Sequence, residues 1–192
     1  MPDKKIIIGV TGTHASGKDT VAEHICKKYN LKSYSTSDEV RYEATSIGVD
    51  HSRASMFKLA NKIRGEFGPG ELAMRALARI NRDEIVALVT GIRNIGEIEY
   101  LKKHANFHLI SVDGPIEVRY ERAHKRMRAG EQMKTFEEFR EGEEKEMNQS
   151  DLGQQLIPCM RAADYFIVND GSLEELEQRT DEVIKAILPT LG

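Results

Sequence analysis

The sequence predicts an α/β protein built on a parallel sheet with helices on both faces. Short apolar runs alternate with segments of helical period along most of the chain. Those runs are nearly continuous in apolar residues rather than alternating, as strands covered on both faces are. The first run leads straight into a glycine-rich turn and then a helix, the start of a strand–turn–helix unit.

The elements follow in order. "KIIIGV" (Lys5–Val10) is the first strand, and "VAEHICKKY" (Val21–Tyr29) a helix with Val21, Ile25 and Cys26 on one face. "LKSYST", "EIVALVT" (Glu84–Thr90), "FHLISV" (Phe107–Val112) and "YFIV" (Tyr165–Val168) supply the other four strands. Ser172–Glu175 and Thr135–Glu138 read as capping boxes, in which a hydroxyl and a carboxylate satisfy each other's backbone N–H groups. Pro115 suits a first helical turn. Residues 126–155 are almost all polar, either a solvated helical pair or a mobile lid.

With 192 residues, the chain fits a single domain spanning 1–192. A net charge of −3 gives no reason to expect nucleic acid or an anionic membrane as partner. Two cysteines, Cys26 and Cys159, form no disulfide framework and suit a reducing cytoplasm. The apolar run near the N-terminus is short for a signal peptide, and no segment has membrane-spanning length. His104 and His108 are broken apart by a strand start, which argues against a zinc site.

The chemistry begins at "GVTGTHASGKDT" (Gly9–Thr20). Gly12, Gly17 and Lys18 fit G-x-x-x-x-G-K, the phosphate-binding loop whose last position is normally a Ser or Thr hydroxyl on Mg²⁺. Here that position is Asp19. Backbone N–H groups from Thr13 through His14, Ala15, Ser16 and Gly17 to Lys18 would curl round phosphates at a helix N-terminus. Lys18 would bridge the β- and γ-phosphates, and Thr20 would reach the α-phosphate. Further on, Arg119, Arg122 and Arg126 share one helical face, with Glu117 and Glu121 placed to balance them.

Several segments carry a family resemblance. "YSTSDEVRYE" (Tyr34–Glu43) resembles the S-T-G-D-x-x-R of adenylate kinases, with Ser35, Thr36, Asp38 and Arg41 matching and Ser37 in place of glycine. In "VTGIRN", Gly91 and Arg93 match the end of the third strand in nucleoside monophosphate kinases, while Thr90 stands where aspartate is expected. "VDGPIEVRYERAHKRMR" is similar to the arginine-bearing helix that leads into their lid. "ADYFIVNDGSLEEL" (Ala163–Leu176) resembles the A-D-x-x-I-x-N-x-G of dephospho-CoA kinases and their relatives. The chain thus resembles the P-loop nucleoside monophosphate kinase superfamily, above all the archaeal adenylate-kinase-related, dephospho-CoA kinase-like and deoxynucleotide kinase branches.

That resemblance implies a three-layer P-loop kinase fold with strand order 2-3-1-4-5, an acceptor-binding helical region over about 37–80 and a lid over about 126–155. It implies ATP and Mg²⁺ as cofactors and a small phosphorylated acceptor, a nucleoside or deoxynucleoside monophosphate. Thr36, Asp38, Arg41, Arg64 and Arg93 would bind the acceptor. Arg122 and Arg126 would join Lys18 in neutralising the transferring phosphoryl group, and the Asn169–Asp170–Gly171 turn would lie beside the adenine. Two alternatives stand beside it: dephospho-CoA kinase, with Asp38 as base, and a nucleotide-dependent switch or assembly factor with weak ATPase activity. For the metal, Asp19 and Thr90 together suggest that carboxylate and hydroxyl have exchanged places around one Mg²⁺, with Asp38 the rival ligand.

Overall fold

In the computed structural model, which describes residues 4–125, 135–147 and 155–189, five parallel strands form one sheet. These are β1 (Ile6–Gly12), β2 (Ser33–Ser35), β3 (Val86–Thr90), β4 (Asn106–Asp113) and β5 (Tyr165–Val168), in spatial order β2-β3-β1-β4-β5. All four pairings are parallel, as helical crossovers between successive strands require. The strand order is the one expected, and β1 and β4 run a residue or two longer than their apolar runs.

Helices α1 (Lys18–Tyr29) and α9 (Leu173–Ile187) cover one face, and α4 (Glu71–Ala78), α5 (Ile95–His104) and α8 (Leu156–Arg161) the other. The period-two pleat explains the division. Ile8, Val10, Leu88, Ile110 and Val112 point to α1 and α9, whereas Ile7, Ala87, Val89 and Leu109 point to the opposite core. Burying each such Ile, Leu or Val stabilises by about 1.5–3 kcal/mol. A third cluster joins α2 (Thr36–Ile47), α3 (Arg53–Phe67) and α4 through Val40, Ala44, Leu59, Ile63 and Leu72. It builds the helical region expected over 37–80.

Between β4 and β5 come α6 (Ile116–Lys125) and α7 (Phe136–Met147). Both expected capping boxes form, with Ser172 Oγ accepting from Glu175 N at 3.2 Å and Thr135 Oγ1 from Glu138 N at 3.2 Å. A third lies at Asn94–Glu97, where the Asn94 side chain caps α5. Among the described residues no helix is long and apolar enough to cross a membrane.

The seam between α1 and α9 is polar at one point. Asp181 accepts from Lys28 at 2.7 Å and Tyr29 at 3.1 Å, and lies 3.0 Å from His24 Nε2. Burial raises the Asp181 carboxyl, but the bonds from Lys28, His24 and Tyr29 outweigh it and hold the group below 3.8. A carboxyl depressed by folding contributes stability fully above its unfolded value, and that contribution is lost as pH falls through the folded one. Asp181→Asn should therefore cost about 1.5–3 kcal/mol near neutrality. The difference in thermal midpoint from the parent protein should hold above about pH 5 and close as pH falls below 3.8, read by circular dichroism at stepped pH.

Candidate phosphate-binding and phosphoryl-transfer site

The turn from β1 to α1 is a cradle of backbone. Gly17 is the N-cap of α1 at φ 94, and no side chain caps the helix. The N-cap residue therefore offers no side-chain acceptor to the first turn of α1, where the helix dipole places its positive end. Glycine is required for space as well as conformation. A Cβ at Gly17 would lie 2.3 Å from Asn169 Nδ2, and one at Gly12 would lie 2.1 Å from the Val112 carbonyl oxygen. Ala15 also sits at positive φ, 58°, and the Ser16 hydroxyl is buried without a hydrogen-bond partner. Lys18 folds back over this loop, its Nζ 3.5 Å from the Thr13 carbonyl and 3.9 Å from Asp19 Oδ2. These features fit a polyphosphate: a helix start capped by glycine, a cation folded over the loop, and glycines where a Cβ would clash.

Residues from the far strands brace the loop. Asn169, after β5, is buried and donates from Nδ2 to the Ser16 carbonyl at 2.8 Å, while its own N–H reaches Asp113 O at 2.6 Å. Thr13 Oγ1 donates to Asp113 Oδ1 at 2.6 Å. Arg122, expected at the phosphoryl oxygens, instead gives Nη1 to Asn169 O at 2.9 Å and Nη2 to Gly171 O at 3.1 Å. It thereby holds the very turn expected beside the adenine. Asp170 in that turn pairs with Arg179 at 2.7 Å, which holds its carboxyl below the usual range. Arg126 lies outside the described residues.

On the acceptor side, Thr36 is buried and donates to Gly91 O at 2.7 Å, which ties the start of α2 to the end of β3. Asp38 and Arg41 form an exposed pair at 2.5 Å, so neither of these expected ligands is pre-aimed inward. Arg64 departs further from expectation. It is 3% exposed and donates Nε at 3.2 Å and Nη2 at 2.8 Å to Glu97 Oε1, because a guanidinium this deep needs a buried counter-charge. Glu97 is wholly buried, and its other oxygen receives the Arg93 N–H at 2.9 Å. Burial pulls the Arg93 guanidinium below its usual range, aided by Arg53 and, to a lesser degree, Arg64, while Glu97 and Asp19 act against this. The charges of Arg53, Arg64 and Asp19 are thus all felt by Arg93, three residues past the end of β3. Thr90 ends that strand, in register with Val10 of β1 and Ser35 of β2.

Of the region expected as a lid, residues 126–134 and 148–154 lie outside the described residues. Between them, α7 packs against α6 and the loop. Phe139 is buried with its ring 5.7 Å from those of His14 and Tyr120, and Tyr120 meets Phe136 at 5.4 Å. Glu143 of α7 takes both terminal nitrogens of Arg119, with Nη2 to Oε2 at 2.7 Å. Arg53, Glu97, Asp113 and Glu143 are site residues that sequence reasoning missed. Only Glu97 had a legible signal, the Asn94-Ile-Gly-Glu97 capping pattern.

Comparison with known proteins agrees with this geometry. A family model described as AAA domain matches residues 11–140. The UPF0200 protein MJ1399 of Methanocaldococcus jannaschii is 33% identical over 97% of this chain and 92% of its own length. A UPF0200 protein of Sulfurisphaera tokodaii is 34% identical over 95% of this chain and 97% of its own. Among solved structures, TT1252 from Thermus thermophilus superposes with a TM-score of 0.60 at 21% identity, covering 96% of this chain and 98% of that one. Shikimate kinase from Bacteroides thetaiotaomicron does so at 0.57 and 15%, covering 94% and 98%. At such identities the two structures speak for the fold alone, and it is the P-loop kinase fold. The chain belongs to the AAA domain family, in its P-loop kinase-like form, and to the archaeal UPF0200 proteins.

Proposed function

We propose that the protein transfers a phosphoryl group from ATP to a small phosphate-bearing acceptor, foremost a nucleoside or deoxynucleoside monophosphate. One observation carries this reading: Lys18 folds over the glycine turn that starts α1, and the charges of Arg53, Arg64 and Asp19 all act on the Arg93 guanidinium just past β3. Phosphoryl transfer needs two anions brought together and little covalent help from the protein, so opposed cationic surfaces are its main requirement.

The roles follow from position. The Gly12–Lys18 loop orients the donor phosphates, and Lys18 offsets charge developing on the transferred group. Arg93, with Arg53, holds the acceptor phosphate; Arg64 stiffens that surface through Glu97. Arg122 shapes the adenine end by fixing the Asn169–Gly171 turn. Magnesium, when bound, would supply charge neutralisation at the donor phosphates. Asp19, the exposed carboxylate in the first turn of α1, would hold it together with Thr90 at the end of β3. A single carboxylate suits an ion that keeps several waters.

The ion pairs of Arg41 with Asp38 and Arg64 with Glu97 favour a second reading, ATP hydrolysis in a switch or assembly factor, because they withdraw two cations from the acceptor. The first pair also occupies Asp38, the carboxylate a dephospho-CoA kinase would use as base. A coupled ADP-release screen over monophosphates and dephospho-CoA separates the readings. Acceptor-dependent release supports transfer, and equal release with every acceptor and with none supports hydrolysis.

Two arginines should divide binding from stability. Arg93→Met should raise the acceptor KM about 10- to 100-fold, the loss of one or two charge-assisted bonds, with little change in the ATP KM. Arg64→Met strands the buried Glu97 charge and should cost about 3–5 kcal/mol in urea unfolding. A larger KM effect from Arg64→Met than from Arg93→Met would reverse these assignments.

The metal hypothesis is tested by a double-mutant cycle on Mg²⁺ dependence. Asp19→Ser should raise the Mg²⁺ requirement about tenfold, and adding Thr90→Asp should restore it. No restoration would transfer the ligand role to Asp38.

A further inference from the structure

Arg119 is buried, at 4% exposure, and every nitrogen of its side chain has an acceptor. Nε donates to Gly114 O at 2.8 Å, both terminal nitrogens meet Glu143 of α7, and Nη1 also donates to the His14 carbonyl at 3.3 Å. A guanidinium so enclosed does not reach a phosphate itself. What it holds is the peptide plane between His14 and Ala15.

That plane bears on the phosphate loop. The chain has no cis peptide bonds among the described residues, so the Ala15 N–H points away from the His14 carbonyl. With the carbonyl drawn back to Arg119, the N–H turns to the opposite side. Ala15 is also at φ 58, a conformation its Cβ disfavours, so relaxation of the loop would rotate this peptide. We propose that Arg119 is a positioning residue that keeps the Ala15 N–H aimed at the nucleotide phosphates, and that Glu143 makes this aim depend on the packing of α7. The proposal rests on the phosphate-loop reading above.

Neighbouring contacts act in the same sense. The Phe139 ring of α7 lies 5.7 Å from the His14 ring, so α7 meets this residue through its side chain while Arg119 holds its carbonyl. Asp113 stands 3.4 Å from Arg119 Nε and accepts the Thr13 hydroxyl, which anchors the preceding residue. A displaced α7 would take Glu143 away and leave a buried cation to find new partners. The His14 carbonyl would then lose its fixed donor, and the loop amide its direction.

The test uses inorganic pyrophosphate and ADP as probes, by calorimetry on the full chain, with thermal midpoints taken in parallel. Arg119→Met should weaken both ligands about 10- to 100-fold. Adding Ala15→Gly should recover about 3- to 10-fold of that loss, because glycine adopts a positive φ without the Cβ penalty. Recovery of affinity without recovery of thermal midpoint is the signature of positioning, which a purely structural role would not give. Should Arg119→Met not fold, Glu143→Gln serves in its place, with about 3- to 10-fold weaker binding that Ala15→Gly again recovers. Unchanged affinity in a folded variant, or a loss that glycine at 15 does not recover, overturns the proposal. Failure of the parent protein to bind either probe overturns the phosphate-loop reading and this proposal with it.

Discussion

The Asn169 side chain passes beneath the phosphate loop, close enough that Gly17 has no room for a Cβ, and bonds the Ser16 carbonyl. Much of the site depends on that contact. A loop whose backbone N–H groups are to converge on one anion keeps that shape only if its carbonyls are drawn outward by other groups. Asn169 draws on Ser16, Arg119 draws on His14, and Lys18 approaches the carbonyl of Thr13. The fifth strand, the helix after the fourth and the first helix itself therefore meet on one short segment. The parallel sheet makes the meeting possible, because the carboxyl ends of β1, β4 and β5 lie side by side in register.

Two buried ion pairs organise the flanks, Arg64 with Glu97 and Arg119 with Glu143. Buried pairs are weak arguments for net stability, since desolvation offsets most of their attraction. Their value here is geometric. Glu97 joins α3 to the start of α5 and fixes the backbone of Arg93; Glu143 joins α7 to α6 and, through Arg119, to the loop. Each carboxylate takes a long arginine that would otherwise sample many rotamers and confines it to one.

The sheet was legible because its signals are local: apolar runs of strand length, capping boxes and a glycine pattern whose physics demands a strand before it and a helix after it. Gly12, Gly17 and Lys18 could be placed from sequence for the same reason. The arginines could not. An arginine at the right spacing looks the same whether it faces a phosphate or a carboxylate, and the deciding partner lies far away in the chain. Arg64 meets Glu97 across 33 residues, and Arg122 meets Asn169 across 47. The sequence placed Arg119 on the same face as Arg122 and Arg126, yet Glu143 as its partner follows only from the docking of α7.

Asp19 brings these strands of argument together. It sits in the first turn of α1, where the helix dipole favours a negative charge, 3.9 Å from Lys18 Nζ, and its charge also acts on Arg93 past the end of β3. Without a nucleotide it offsets part of that positive charge. A polyphosphate entering the cradle would meet the same Lys18 and the same helix end, and would compete with Asp19 for both. The carboxylate would then be a like charge beside the donor phosphates, a repulsion that a bound divalent cation converts into attraction. A serine or threonine hydroxyl at this position would carry no such penalty. If the loop takes a nucleotide as proposed, the departure from the usual loop pattern would make the cation part of the electrostatic balance of binding.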